Sequence, residues 1–453
     1  MRTKSPASRL LVCTVALALS ATGIGPGLAQ SPTRPDPRDD GAEPPAVQAL
    51  HQRCVRLSGE LYRYRRLKLL QVPAIEILTP DSYAAYADRM LEDQYGKDLD
   101  KEQELLTVLG MLPQGLDLKQ LIRKHMSRLA LAVYDYRTKA IMAPAAGAAD
   151  ESLFHELVHA DTDGHFDLAG MITRAERRDD WILAAGAVIE GDAIRTSTNR
   201  QLGALRFPVR FVPYRVLVAV LDQRYAGAVP NLERAFPDVP RTLMEAQLFP
   251  YLRGWTFMEY VSRRGGWGAV NDAYRNPPRT TEEVLHPEKY FQLKPDWQEV
   301  VPGLEPPAGW KVGFSNVFGE FGLGLWLGTR LSRVECGRAS AGWGGDRLWL
   351  LTDADGSAAA VGCSLWDTPA DADEFEQAAN RWSQSAGGKP GLKARVVRLD
   401  LEVRWAVAAD EKKLEALAGW MATARLATRQ PQPHPPVVDF RRQETPAPPQ
   451  QKN

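Results

Sequence analysis

Cysteine and histidine are both scarce in this chain, at four and seven of its 453 residues. No Cys-x-x-Cys pair occurs, which argues against a cysteine-based metal site. Net charge is lacking too, because 56 basic residues balance 56 acidic ones. A chain without net charge has little electrostatic attraction to nucleic acid or to an anionic membrane, so we expect neither as a partner. The apolar fraction, 44%, is ordinary and allows a sizeable core.

The N-terminus has the pattern of a secretory signal peptide. Three basic residues, Arg2, Lys4 and Arg9, precede the apolar run "LLVCTVALALSATGIG". The small residues Gly27 and Ala29 stand at the expected cleavage positions. We therefore expect residues 1–29 to be removed and the mature chain to begin near Gln30. The protein is then exported to the periplasm or outside the cell, with no stable membrane span. An uncleaved anchor is the alternative, although the run is short for a spanning helix.

Export affects the expected oxidation state of the three cysteines of the mature chain, Cys54, Cys336 and Cys363. An oxidising compartment favours one disulfide and one spare thiol. Because Cys336 and Cys363 are close in sequence, we favour a disulfide between them and a free Cys54.

Composition and periodicity divide the mature chain into four segments. Residues 30–46 are rich in proline and charge and predict a disordered leader, and residues 429–453 predict a disordered tail. Residues 47–300 predict a mainly helical region with an N-terminal strand and hairpin. Residues 301–428 predict a smaller α/β region. The expected fold class is therefore α+β.

The most informative stretch is "LFHELVHADTDGHFDL", residues 153–168, and local patterns surround it. An alternating segment at 129–143 predicts a β-hairpin whose edge strand could add an extended peptide. Asp150 is the expected N-cap of the helix that carries the stretch, as Thr368 is of a helix in the C-terminal region. The apolar segment "DDWILAAGAVIEGDAIRTSTNRQL" predicts a second, buried helix.

Within this stretch, His155 and His159 are four residues apart, with Glu156 between them. On a helix this spacing aims both imidazoles at one point, where they suit a zinc ion (Zn2+). Glu156 does not ligate in this HExxH pattern but lies near enough to act as a general base on a water molecule. The alternative is a surface helix with an accidental His-Glu-His, which the apolar neighbours of these residues disfavour.

A catalytic zinc site needs a third protein ligand, and the sequence offers two candidates. His165 follows His159 by six residues, but Thr162 stands where the corresponding protease pattern has a turn-forming glycine. Glu190 is a lone carboxylate in an apolar helical run and must have a buried partner. We favour Glu190, with a salt bridge to an arginine as the alternative explanation of its burial.

Other residues are candidates for supporting roles. A donor must face the oxyanion of the transition state, and His286, Tyr290 and Tyr251 are the candidates, although buried aromatics and core histidines are commoner. The segment "PPRTTEEVLHPEKY", which carries His286 and Tyr290, is expected to fold back over the zinc cleft; otherwise it is a surface loop. Three acids could hold an imidazole N–H or serve instead as caps and turns: Asp161, Asp163 and Asp192.

Several segments together resemble a family of exported bacterial HExxH proteins. In the N-terminal part these are "AVYDYRTKAI", "HELVHADTDGHFDL", "AVIEGDA", "FPYLRGWTFMEYV", "GGWGAVNDAY" and "PPRTTEEVLHPEKY". In the C-terminal part they are "GEFGLGLWL", "AGWGGDRLWLL" and "LWDTPADADEFEQA". The likeness covers roughly residues 50–425. The family is mostly uncharacterised and is regarded as zinc metallopeptidases with gluzincin-like ligands.

The resemblance implies a zincin-like core at residues 47–300. It implies that His155 and His159 are zinc ligands, Glu156 the catalytic glutamate, and Glu190 the third ligand. The chain departs from its relatives at 160–164, where "ADTDG" replaces "ALQDQ". This leaves the zinc positions intact but puts any role of that turn in doubt.

The function expected from these observations is a zinc-dependent metallopeptidase that hydrolyses a peptide or protein substrate. Glu156 would take a proton from water and pass it to the leaving amine. The alternative is an exported binding or envelope-maintenance protein whose zinc site is structural or vestigial. An intact Glu156 counts against it, because a structural site needs no base.

Overall fold

The computed structural model describes residues 44–432, except 95, 130–131, 145–146, 175–177, 205–208, 304 and 386–390. The predicted signal peptide, the leader up to residue 43 and the tail beyond residue 432 lie outside the described residues. Helices and strands both occur, and the α+β class is confirmed. Among the described residues, no helix is both long and apolar enough to cross a membrane.

The N-terminal region is mainly helical. Its elements are α1 (Pro45–Arg65), β1 (Ala74–Leu78), α2 (Pro80–Gln94), α3 (Leu99–Val108), α4 (Leu118–Leu129), β2 (Val133–Asp135), β3 (Ala140–Pro144), α5 (Asp150–Phe166), α6 (Leu168–Thr173), α7 (Asp179–Ala204), α8 (Tyr214–Ala235), α9 (Arg241–Arg275), α10 (Thr281–Leu285) and α11 (Pro287–Tyr290).

The C-terminal region alternates strands and helices. Its elements are β4 (Glu299–Val300), β5 (Trp310–Asn316), α12 (Gly319–Gly328), α13 (Arg333–Ser340), β6 (Trp343–Asp353), β7 (Ala358–Trp366), α14 (Pro369–Gln384), β8 (Lys393–Leu399), β9 (Glu402–Ala408), α15 (Glu411–Met421) and β10 (Thr428–Arg429).

A three-stranded sheet in the order β1-β3-β2 precedes α5. β2 and β3 form the predicted antiparallel hairpin, with Tyr134 opposite Ile141, and β1 is parallel to β3. The hairpin is thus confirmed, and β2 lies at an edge of the sheet. Ile141 packs in one core cluster with Leu153 and Leu157 of α5, so the sheet and α5 have a fixed relation.

The N-terminus of α5 differs from the expectation. Ala149, and not Asp150, is the N-cap, and Asp150 is the first helical residue. Its carboxylate accepts hydrogen bonds from Arg53 and Arg56 of α1. The predicted cap is wrong because these long-range ion pairs hold the carboxylate, while its charge still suits the positive end of the helix. In the C-terminal region Thr368 caps α14 as predicted, accepting a hydrogen bond from Asp371 N.

Two glycines allow α7 and α9 to cross at close range. A Cβ at Gly191 would overlap the backbone of Gly254, and one at Gly254 would overlap the backbone of Ala187. Larger residues would hold the two helices further apart. Gly191 follows Glu190 directly, and Gly254 lies one turn after Tyr251. The crossing therefore sets how near these two side chains come to the histidines of α5.

The C-terminal sheet has the order β5-β6-β7-β9-β8 and is antiparallel throughout. Alternate residues of β7 enter different cores, so that Ala360 packs with α12 and α14 and Cys363 packs with α15. Cys336 belongs to the first core. The predicted Cys336–Cys363 disulfide is therefore wrong, because the sheet separates the two thiols. Both of these thiols and that of Cys54 are free and buried.

The two regions share a core. Leu105 and Leu109, at the end of α3, pack in the same cluster as Trp326 and Trp343 of the C-terminal region. Within the C-terminal region β10 pairs with β4, and Arg429 forms an ion pair with Glu299. Arg429, which the sequence assigns to the tail, thus belongs to the folded part.

Candidate metal centre

Helix α5 brings His155 and His159 together. Both side chains are buried, and their ring centroids lie 4.6 Å apart with the ring planes nearly perpendicular. Neighbours such as Leu153 and Leu157 are fully buried, so the helix is held in the core on more than one side. One turn of helix separates the two imidazoles, as the i, i+4 spacing predicts.

Glu190 of α7 lies beside both imidazoles. Its Oε2 is 3.1 Å from His155 Nε2 and 3.5 Å from His159 Nε2. A tetrahedral zinc ion with bonds of about 2.0–2.2 Å separates its ligand atoms by about 3.3–3.6 Å, so these distances suit one metal ion. Glu190 Oε1 is buried with no hydrogen-bond partner among the described residues. The three residues form a group that could hold a metal ion, and the donor set of two imidazole nitrogens and a carboxylate fits zinc.

His165 lies elsewhere. Its Nε2 donates to the carbonyl oxygen of Lys68 at 3.1 Å. Helix α5 continues through Thr162, whose hydroxyl donates to the Val158 carbonyl at 2.9 Å, and ends only at Phe166. Six residues of unbroken helix rotate a side chain by about 240°, so His165 faces away from His159. Of the two candidates for the third ligand, the structure brings only Glu190 to the histidines.

The three groups change one another's proton affinity. Burial alone would raise the pKa of Glu190, but the imidazoles of His159 and His155 lower it below its usual value. Burial alone would lower the pKa of His159, but the carboxylate of Glu190 raises it to about 9. His159 and Glu190 thus favour one another's charged forms, and a metal ion at these atoms would have to displace the proton of an imidazolium.

Glu156 is held by the edge strand. Its Oε2 accepts a hydrogen bond from the backbone N of Tyr134 in β2, at 2.7 Å. Burial raises the pKa of Glu156, and the nearby histidines oppose the effect. Glu156 is not a member of the metal-binding group, but its carboxylate lies close enough for the charges of His159, His155 and Glu190 to act on its pKa. No motif in the sequence indicates the Tyr134 contact, apart from the predicted hairpin that precedes the helix.

None of the three acids considered as supports for an imidazole N–H has that role in the described part of the chain. Asp192 Oδ2 lies 2.5 Å from Arg65 Nε and accepts from the Tyr274 hydroxyl. Asp163 accepts from the Tyr134 hydroxyl, at 2.9 Å, and from the backbone N of Leu168 at the start of α6. Asp163 therefore stabilises the start of α6, whose N-cap is Asp167.

Asp161 has a different position from the other two acids. It is fully buried, and its carboxylate is 3.8 Å from His165 Nε2. The Nδ1 atoms of His155 and His159 are buried without a hydrogen-bond partner in the part of the chain that the structure describes. No acid among the three therefore orients a ligating imidazole.

The structure does not bring His286 or Tyr290 to the metal-binding group. His286 Nε2 donates to Glu320 of α12 at 3.0 Å, and the Tyr290 hydroxyl donates to the carbonyl oxygen of Asn276. Segment 277–290 holds α9 against α12 through these contacts and is no wall of the cavity at the histidines, which neither side chain lines. Their role as oxyanion donors stays a prediction. The third aromatic candidate, Tyr251, does lie there, with its ring stacked 6.2 Å from that of His155.

A cavity of about 550 Å³ opens at His155 and Tyr251. We call it the metal-side cavity. Its walls are mainly apolar and come from α7, α8 and α9; they include Leu202, Leu217, Leu221, Leu248, Leu252 and Trp255. Two buried polar atoms without a partner among the described residues, Trp255 Nε1 and Ser197 Oγ, belong to residues that line it. This volume is enough for one or more large side chains.

Comparison with known proteins gives one result. The profile of a domain of unknown function (DUF8575) matches residues 311–421. This range contains most of the five-stranded sheet and its helices and none of the residues of the metal-binding group. Among curated proteins and solved structures, none matches the chain.

Proposed function

We propose that this protein is an exported, zinc-dependent metallopeptidase with a zincin-like core at the N-terminal side of the chain. The observation that carries the proposal is the buried group of His155, His159 and Glu190, with the Glu156 carboxylate fixed beside it. Three protein ligands leave one position of a tetrahedral zinc ion open, which is the arrangement of catalytic sites. The resemblance to exported HExxH proteins and the signal-peptide pattern support the same proposal.

The ligands and the base have separate roles in this proposal. His155, His159 and Glu190 would hold zinc, which when bound supplies Lewis-acid polarisation of a carbonyl group and lowers the pKa of water. Glu156 takes a proton from the attacking water and delivers it to the leaving amine. Burial raises the pKa of Glu156, which suits a group that must both accept and release a proton near neutral pH. The Tyr134 N–H keeps its carboxylate in position.

Two features support a peptide as substrate. The edge strand β2 lies directly beside Glu156 and could add an extended peptide through backbone hydrogen bonds. The metal-side cavity offers apolar walls for a large apolar side chain next to the scissile bond, and Trp255 Nε1 could donate to a polar group there. Tyr251 is the residue we propose to face the oxyanion, since it alone of the aromatic candidates lines this cavity.

The proposal is tested by digestion of a peptide library with the wild-type protein and Glu156→Gln, together with zinc analysis of both. We expect zinc at one ion per chain in both and a loss of kcat/KM of at least about 100-fold in the variant, because the base is removed and the ligands are kept. Glu415→Gln, at an exposed position of α15, is the matched control and should match wild type.

Each other outcome has a definite meaning. Full activity of a zinc-loaded Glu156→Gln would show that Glu156 is not the base. Loss of zinc from this variant would make Glu156 a ligand. A wild-type protein that holds zinc and cleaves no member of the library would favour the binding or envelope-maintenance function over the peptidase.

A further inference from the structure

A second cavity, of about 130 Å³, lies between α3, α4, the start of α7, α9 and α12. We call it the acid-pair cavity. None of its lining residues also lines the metal-side cavity. Its walls are largely apolar; among them are Leu106, Leu118, Ile122, Ile182, Leu243, Phe318 and Leu325. An apolar cavity of about this size, 150 Å³, is known to bind a molecule as large as benzene, so one ring or a short branched chain fits.

Two carboxyl groups face this apolar space, those of Glu102 and Asp179. Glu102 is 2% exposed. Its Oε2 accepts a hydrogen bond from Asn316 Nδ2 at 3.0 Å, whereas no N–H or O–H donor of the described residues reaches Oε1. No lysine or arginine in the described part of the chain forms an ion pair with Glu102. A buried carboxylate without a cation is costly, and a second acid beside it increases the cost.

Asp179 disfavours the ionised form of Glu102. Burial, and then the charge and the hydrogen bond of Asp179, raise the pKa of Glu102 well above its usual range. The ionised form of Glu102 therefore has no cation to stabilise it among the described residues. A cation with an N–H donor at Glu102 Oε1 would stabilise that ionised form. A carboxylate or phosphate ligand would meet like charge and is excluded by the same argument.

We propose that the acid-pair cavity is a binding site for a small alkylammonium ion. One of its N–H groups donates to Glu102 Oε1, and its apolar body of about six or seven carbon and nitrogen atoms fills the space between Leu106, Ile182 and Leu325. The volume excludes a peptide, so the site is separate from substrate binding at the metal centre. The proposal does not depend on the peptidase function.

The experiment is isothermal titration of the full mature chain with three probes that share one ring. Cyclohexylamine carries the cation, cyclohexanol is neutral and cyclohexanecarboxylate carries the opposite charge. We expect cyclohexylamine to bind at least about tenfold more tightly than cyclohexanol, since hydrogen bonds to a charged group are worth about 1.5–3 kcal/mol. The carboxylate should not bind.

Two variants locate the binding. Glu102→Gln keeps the shape and should abolish the preference for the amine over the alcohol. Ala246→Leu, which fills the cavity from α9, should abolish binding of both and keeps the proposal testable if Glu102→Gln does not fold. Equal binding of alcohol and amine by wild type, unchanged amine binding in Ala246→Leu, or no amine binding at millimolar concentration would each overturn the proposal.

Discussion

At the scale of single residues, the metal-binding group depends on one carboxylate that is distant in sequence from the histidines. Glu190 is 31 positions after His159 and lies within 3.5 Å of both imidazoles. His165 is only six positions after His159, but its Nε2 forms a hydrogen bond with the backbone carbonyl oxygen of Lys68. Proximity in sequence is therefore a poor guide to the third ligand once a helix continues through the intervening residues.

This contrast makes a testable prediction. Glu190→Gln should weaken zinc binding by more than about 100-fold, because it removes a charged ligand, a larger change than loss of a supporting contact. His165→Gln, the matched control, should bind zinc as wild type does. Competition with a chromophoric chelator measures both affinities. If His165→Gln lost zinc affinity and Glu190→Gln did not, His165 would be the third ligand and Glu190 would not.

At the scale of elements, the crossing of α7 and α9 decides the shape of the site. Gly191 and Gly254 allow backbone to approach backbone at the turns that carry Glu190 and Tyr251. Tyr251 is fully buried and stacks on His155. A change in the distance between the helices therefore moves the aromatic wall relative to the metal ligands.

Gly254→Ala tests this arrangement. Its Cβ would overlap the backbone of Ala187, which cannot rotate away as a side chain could, so the helices must separate. We expect a loss of about 1–3 kcal/mol in the free energy of unfolding and a lower kcat, with zinc content maintained. Gly419→Ala, in α15, has open space around the new Cβ and should be neutral or stabilising by up to about 1 kcal/mol. Urea unfolding compares them, and equal effects would contradict the close crossing.

At the scale of the whole molecule, the C-terminal region is part of what keeps the helical region folded. Leu105 and Leu109 of the N-terminal region pack among its tryptophans. Asp180, near the start of α7, accepts hydrogen bonds from the backbone N and hydroxyl of Thr281, and its own N donates to the Val317 carbonyl. α7 carries Glu190, so the metal-binding group is tied to the C-terminal region through this helix.

A chain that ends at residue 302 should therefore fail to fold. It would expose several large apolar residues that each contribute about 1.5–3 kcal/mol when buried, against a total stability of about 5–15 kcal/mol. A chain that ends at residue 432 keeps the Arg429–Glu299 ion pair and should unfold like the full chain. Near-ultraviolet circular dichroism and urea unfolding test both chains. A cooperative transition and full zinc binding in the shorter chain would show that the helical region is independent.

The sequence by itself determined what depends on local geometry. The i, i+4 spacing of His155 and His159 needs only a helix to bring the imidazoles together. Alternation predicted the hairpin, and Thr368 with its short-range hydrogen bond predicted the start of α14. Each of these features is fixed within a few residues of chain, where periodicity and capping chemistry act directly.

Only the tertiary structure decided what depends on how elements meet. Burial indicated that Glu190 needs a partner, but the crossing of α5 and α7 supplied it. The Tyr134 amide at Glu156, the stacking of Tyr251 on His155, and the positions of His286 and Cys336 had no local signal. Their contacts join residues far apart in sequence, and such contacts are set by the packing of whole helices and sheets, which no short stretch of sequence specifies.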